Sequence, residues 1–274
     1  MARIIEISDL NDERLSVYTS LCDRSLRSAI QSGSQSGVFI AESPKVIHAA
    51  LDTDHIPVSM ICENKHLAGD AKSILERLPE DIPVFTGPRE LLATLTGYTL
   101  TRGVLCAMHR PVQPSLKEIA ANARLLAVVD NVSDSTNIGS IFRAAAALGI
   151  DGIVMSGGSC DPLNRRSIRV SMGTVFRVPW CTISEDPSVL QAYGFKTAAL
   201  ALKPNSIPLS DERLKGVSKL AVLLGSEGDG LHDETIEKAD YKVIIPMHNN
   251  VDSLNVATAA AIAFWQLTQN NVNK

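Results

Sequence analysis

The 274-residue sequence predicts an α/β fold, and three observations carry that expectation. Short aliphatic runs alternate with helix-patterned stretches along most of the chain. Apolar residues make up 45% of the sequence while aromatics are only 4%. Its cores must therefore be filled by Ile, Val, Leu and Ala, which suit buried parallel strands and the helices covering them. Three aliphatic runs of the second half end in polar or glycine-rich blocks, at the sheet edge where α/β proteins bind ligands.

In the first half, residues 10–32 read as helix, and Gly33-Ser-Gln-Ser-Gly37 breaks the pattern. Val38–Ala41 reads as a strand. A helix over Pro44–Leu51 follows, with Ser43 as its cap and Pro44 at its first position. Strands are expected at 56–62, 83–85 and 103–107, and helices at 68–78 and 88–96. This is a small αβα unit, assigned to residues 1–107. Pro111 and Pro114, with polar neighbours, cannot continue a helix or central strand. A linker is placed there, over 108–122.

The second unit, 123–274, starts with the strand Leu125–Val129, which ends at Asp130. Asn137 can cap a helix over 138–148 that Gly149 ends. Further strands are expected at 152–155, 175–180, 197–202, 220–224 and 243–245. Residues 165–170 read as helix, and Asp252-Ser253 as the cap of a last helix over 253–269. Strands separated by helices imply a parallel sheet with helices on both faces.

Net charge is −4, whereas nucleic-acid-binding domains are usually basic. The charge is uneven, however. Between Arg102 and Arg177 nine Lys/Arg face five acidic residues, a local +4 that leaves −8 elsewhere. A basic surface on an acidic protein is compatible with that pattern. The five cysteines (22, 62, 106, 160, 181) form no CxxC pair and read as reduced cytosolic thiols, so a cytoplasmic protein is expected. Cys62 and His66 have no second ligand pair, so no metal site is expected. No signal peptide is expected, because the first nine residues carry early charges and no long apolar core, and no membrane span, because no apolar run reaches about 18 residues.

The chemistry concentrates in few places. Asp130–Asn137 is a mostly polar run after a strand, and Arg143 is the one cation of an otherwise apolar helix. Such a guanidinium must reach solvent or an anion. Leu224-Gly-Ser-Glu-Gly-Asp-Gly230 has three glycines that let backbone approach a ligand, with Glu227 as the first fixed charge. Its GxxGxG spacing is not the dinucleotide GxGxxG. Ile245-Pro-Met247 leads to Asp252-Ser-Leu-Asn255 at the last helix, which is apolar nearly all round and suits a central or interface position. Arg165, Arg166 and Arg169 form a candidate RNA-phosphate site, with Arg165 and Arg169 on one helical face.

Together these blocks resemble the SpoU (TrmH-like) branch of the SPOUT superfamily of S-adenosylmethionine-dependent RNA methyltransferases. The carriers are N-x-G-x-x-x-R at 137–143, G-S-E-G-x-G-L at 225–231, and I-P-M at 245–247 followed by S-L-N-V-A at 253–257. Ser171-x-Gly173 and Phe176-Arg-Val-Pro179 also match, and the likeness covers about 123–270. Residues 1–106 resemble, less strongly, the ribosomal-protein-like RNA-binding domain that many SpoU enzymes carry. The resemblance implies a deep trefoil knot, which general topology rules would not suggest. It also implies S-adenosyl-L-methionine as cofactor, RNA as partner (rRNA ahead of tRNA), and a homodimer. The implied cofactor contacts are Leu224, Gly225, Gly230, Ile245, Met247, Ser253 and Leu254. The implied catalytic set is Arg143, Asn137, Glu227, Ser253 and Asn255. One departure is Asn249, where the family usually has glycine; Asn tolerates positive φ better than most residues.

The implied reaction is methyl transfer to a ribose 2′-hydroxyl, an in-line displacement that needs alignment and a better nucleophile. A guanidinium hardly ever gives up its proton. Arg143 is therefore expected to orient the neighbouring phosphate and stabilise the forming alkoxide. The competing reading is a non-catalytic RNA-binding protein that retains the knotted fold. A dehydrogenase is disfavoured by the missing GxGxxG.

Overall fold

The computed structural model describes residues 2–7, 9, 11–19, 37–96, 103–249 and 251–269. The chain divides into two units, Met1–Val112 with Leu163–Phe176, and Gln113–Pro162 with Arg177–Lys274. The segment expected as linker contains the helix Leu116–Asn122, opened by a capping box between Ser115 and Glu118.

The first unit holds a mixed sheet of five strands: β1 (Arg3–Glu6), β2 (Val38–Glu42), β3 (Pro57–Glu63), β4 (Pro83–Gly87) and β5 (Val104–His109), in the order β1-β4-β3-β5-β2. β1, β4 and β3 run parallel, while β5 is antiparallel to both β3 and β2. Ile40, Ile61, Phe85, Leu105 and Tyr18 fill one core, where the Tyr18 hydroxyl meets Ser59 Oγ at 2.8 Å. The helix Pro44–Leu51 starts at Pro44 as expected, but Ser43 does not cap it with its side chain. The Ser43 N–H donates to Val104 O instead, and its backbone sits at φ +89°. The helix expected over 68–78 shrinks to a 3-10 turn at Asn64–His66 and a helical turn at Lys72–Leu75. Of the helix expected over 10–32, a 3-10 turn at Glu13–Leu15 and a helical turn at Ser16–Thr19 are seen; residues 20–32 lie outside the described residues.

The second unit is a seven-stranded sheet, parallel throughout: β6 (Leu125–Asp130), β7 (Gly152–Ser156), β8 (Trp180–Thr182), β9 (Lys196–Leu200), β10 (Ile207–Pro208), β11 (Leu220–Leu224) and β12 (Tyr241–Ile244). The order is β10-β12-β9-β11-β6-β7-β8. A strand expected over 175–180 is instead a 3-10 turn at Thr174–Phe176 and β8, which starts after Pro179 because proline has no N–H for a ladder. Helices cover both faces, as side-chain alternation shows. Leu126, Val128 and Cys181 join Ile119, Leu190 and Ile236 in one core. Trp180, one residue before Cys181 on β8, points to the other face and meets Phe142 edge-on, with ring centroids 6.4 Å apart. Phe142 belongs to the helix Ser135–Leu148, and the helix Val256–Thr268 packs beside it. Among the described residues no helix is long and apolar enough to cross a membrane.

Candidate active site

The strand ends of β6, β9, β11 and β12 position the polar blocks. β11 is buried along its whole length and runs straight into Gly225. A Cβ at Gly225 would lie 2.2 Å from the Gly230 carbonyl carbon and 2.3 Å from Leu231 N, so no side chain fits there. Ser226 and Gly230 exchange backbone hydrogen bonds of 3.2 and 3.1 Å. The loop closes on itself, with Gly230 at φ +69°, and Glu227, Gly228 and Asp229 form its tip.

Two helix caps differ from expectation. Asp134, not Asn137, caps Ser135–Leu148, taking the backbone N–H groups of Thr136 and Asn137. Asn255, not Asp252 or Ser253, caps Val256–Thr268, its Oδ1 accepting from Ala257 N at 3.0 Å and Thr258 N at 3.3 Å. Both shifts have one physical cause. A cap needs its side-chain oxygen two or three residues before an orphan N–H, and each helix starts at a different residue than periodicity suggested.

These caps free Asn137 for the site. It lies in the first helical turn at 7% exposure. Asn255 Nδ2 donates to Asn137 Oδ1 at 2.9 Å and also to Glu227 Oε1. The three side chains come from blocks far apart in sequence and form one network.

Beside the network is a cleft of about 370 Å3, within the size range of small-molecule sites. All seven expected cofactor contacts, Leu224, Gly225, Gly230, Ile245, Met247, Ser253 and Leu254, line it. A second, more polar hollow of about 350 Å3 is lined by Asn131, Ser133, Asp134 and Asn137 on one side. Ser226–Asp229 forms its other wall, and the same four residues line the cleft. The cleft fits S-adenosyl-L-methionine in its donor set: apolar Leu, Ile and Met surfaces, exposed loop backbone, and carboxylates at Glu227, Asp229 and Asp252 for a sulfonium and an ammonium.

Other expected residues are placed differently. Arg143 is exposed, lines neither hollow, and among the described residues forms no hydrogen bond or ion pair. Six residues after Asn137 on a 3.6-residue helix, it projects from a different face. Arg165, Arg166 and Arg169 lie on the helix Arg165–Ser171, which belongs to the first unit and packs on β2. Arg165 is not a free phosphate ligand there. Its Nε lies 3.6 Å from Oε2 of Glu42, which is 5% exposed. Arg166 and Arg169 are exposed. Asn249 sits at φ +57°, the conformation that glycine would adopt freely.

Sequence reasoning missed the Asn131 and Ser133 contributions to the second hollow, although the polar run 130–137 signalled a ligand-facing loop. It also missed Lys203, after β9, whose Nζ contacts Asp233 Oδ1 at 2.6 Å on the cleft wall. The Lys203 ammonium holds the Asp233 carboxyl below its ordinary range. A lone lysine beside Pro204 carries no motif that would have marked it.

Comparison with known proteins decides the family. The model of the SpoU rRNA Methylase family matches residues 124–265. This chain belongs to that family. A tRNA/rRNA methyltransferase of Mycobacterium tuberculosis (strain ATCC 25618 / H37Rv) is 35% identical, over 96% of this chain and 91% of the relative. The Bacillus subtilis 23S rRNA (guanosine(2553)-2′-O)-methyltransferase RlmP is 26% identical, over 85% of this chain and 89% of the relative. Among solved structures, the AdoMet-bound rRNA methyltransferase from Sinorhizobium meliloti superposes with a TM-score of 0.79 at 21% identity, covering 97% of this chain and 98% of that one. That likeness shows a shared fold. As a member of that family, the protein is an RNA methyltransferase.

Proposed function

We propose that the protein methylates a ribose 2′-hydroxyl of ribosomal RNA, as a homodimer whose second unit carries a trefoil knot. The observation that carries this reading is the shared wall. The cleft and the polar hollow meet at Ser226–Asp229, where a methyl donor and a hydroxyl acceptor can be brought face to face. S-adenosyl-L-methionine supplies an activated methyl group on a sulfonium. The chain's own residues align the acceptor with it, and alignment is worth most in a displacement of this kind.

The network sets the acceptor's surroundings. Asn255 uses its oxygen on the helix cap and its nitrogen on Asn137 and Glu227. Asn137 therefore keeps its Nδ2, and Glu227 its Oε2, for the polar hollow they line. A hydroxyl there can accept from the amide and donate to the carboxylate, and the latter contact makes it a better nucleophile. Ser253, on the cleft wall, positions the cofactor side. Arg143 cannot serve this hollow from its own helix face. In a dimer it would reach the partner's site, where its fixed charge would orient a phosphate and stabilise the developing alkoxide. The part-exposed Ile262 and Trp265 of the last helix, at 38% and 57%, support an interface on that helix. Arg166 and Arg169 supply phosphate contacts from the first unit.

Ribosomal RNA is favoured because the B. subtilis relative is named for a 23S rRNA ribose. Alkaline hydrolysis tests the reading, since a 2′-O-methyl group blocks cleavage at its own position. RNA from cells with and without the protein should differ by one protected rRNA position. A methyl group recovered on a base, or protection confined to tRNA, would overturn it.

A further inference from the structure

We infer that Lys203 is the residue that recognises the methionine carboxylate of S-adenosyl-L-methionine, exchanging its Asp233 partner for the cofactor. Among the described lining residues of the cleft, Lys203 is the only cation, against Glu227, Asp229, Asp233 and Asp252. The cofactor carries two cationic groups, the sulfonium and the ammonium, and one carboxylate. Glu227, Asp229 and Asp252 suit the first two, while Asp233 is already paired with Lys203. A carboxylate in this acidic cleft needs Lys203.

Sheet order gives the direction. Glu227 and Asp229 follow β11, and the polar hollow lies at the ends of β11 and β6. Lys203 follows β9, on the other side of β11 from β6. It therefore stands about one strand spacing, ~4.8 Å, further from the hollow than the Glu227 loop does. A sulfonium held at the shared wall, with its methyl toward the hollow, can extend its short methionyl chain toward Lys203.

The lysine is held for this task. Its backbone is fixed by Ser206, since Lys203 N donates to Ser206 Oγ at 3.3 Å and Ser206 N donates to Lys203 O at 3.0 Å. Its present partner is weak. The Asp233 side chain is 84% exposed, and exposed ion pairs contribute little. Exchanging that carboxylate for a less solvated one in the cleft costs little and forms a charge-assisted hydrogen bond. The assignment rests on the cleft being the cofactor site.

Calorimetry on the full-length protein with two probes tests it: S-adenosyl-L-methionine, and its decarboxylated form, which keeps the sulfonium and the amine. The wild type should bind the intact cofactor more tightly. Lys203→Met, which keeps the aliphatic stem, should lower its affinity about tenfold, the worth of one charge-assisted contact, and leave the decarboxylated form unchanged. Asp233→Asn should raise affinity for the intact cofactor by up to about threefold. Unchanged or equally weakened binding of both probes by Lys203→Met would overturn the assignment, and so would weaker binding by Asp233→Asn. Failure of the wild type to bind either probe would instead remove the cleft as the cofactor site, and the assignment with it. Thermal melting of each variant confirms that the fold is retained.

Discussion

Asn255 Nδ2 donates to Asn137 Oδ1 at 2.9 Å although the two residues are 118 positions apart. The direction of that bond is dictated from outside the site. Two backbone N–H groups claim the Asn255 oxygen, so only its nitrogen can face Asn137 and Glu227. A helix cap thereby orients two side chains of the polar hollow.

Asn255→Asp separates capping from orientation. Aspartate caps as well as asparagine, so the melting temperature should stay near wild type. The donor is lost, and kcat should fall about 100-fold through misplacement of the acceptor. A new carboxylate beside Glu227 raises one of the two pKa values, so activity should recover partly as pH falls and a proton supplies the missing donor. Asn255→Ala should also lose about 1 kcal/mol of stability with the cap. A flat acid side in the Asn255→Asp pH profile would contradict this role.

Asn249 at φ +57° is a second test. Asn249→Gly should leave cofactor affinity within about twofold, because glycine takes that conformation freely. Asn249→Val should lower stability by about 1–2 kcal/mol, because a β-branched residue resists left-handed backbone. Melting curves and cofactor titration measure both. Tighter binding by more than tenfold in Asn249→Gly would show that the asparagine side chain obstructs the cleft.

The three arginines of the helix Arg165–Ser171 should divide by function. Arg165→Met leaves Glu42 buried without its cation and should cost about 2 kcal/mol, less than a fully buried pair because Arg165 is partly exposed. Glu42→Gln in the same background should restore part of it. Arg166→Met and Arg169→Met should leave melting unchanged, weaken RNA binding, and each reduce the salt dependence of binding by about 0.7 in log–log slope. Denaturant unfolding and RNA titration across salt concentrations separate the two classes.

Burial pushes the Cys62 and Cys181 thiols up to about 11 and Cys106 up to about 12. Below the ordinary thiol range of about 8.5 both folded and unfolded states hold these protons, so nothing is lost. Above it the unfolded chain releases them first. Stability should therefore fall as pH rises from about 8.5 toward 11–12. Melting temperatures across that range check the sign. Labelling at pH 8 should spare these three and, among the cysteines of the described residues, reach the half-buried Cys160 first; rapid labelling of Cys106 would contradict the assignment.

Much of the second unit was legible in the sequence, because a fully buried strand such as Leu220–Leu224 is an uninterrupted aliphatic run bounded by turn residues. The helix ended by Gly149 was legible for the same local reason: its φ of +74° suits glycine. Boundaries governed by partners were not. β12 begins at Tyr241, earlier than its apolar run suggests, because Tyr241 and Lys242 pair with Ala198 and Ala199. Helix starts moved by a few residues because capping geometry, not periodicity, chooses the first residue.

The sequence by itself determined the family and the fold class, because each motif keeps its residues together in one short block after one strand. Only the tertiary structure decided which side chains meet. It joined Asn137, Glu227 and Asn255 into one network, committed Arg165 to Glu42, turned Arg143 away from its own cleft, and brought Lys203 to the cleft wall. These are contacts between segments distant in sequence. Their geometry follows from strand order and helix phase, and neither is written in the residues of any single motif.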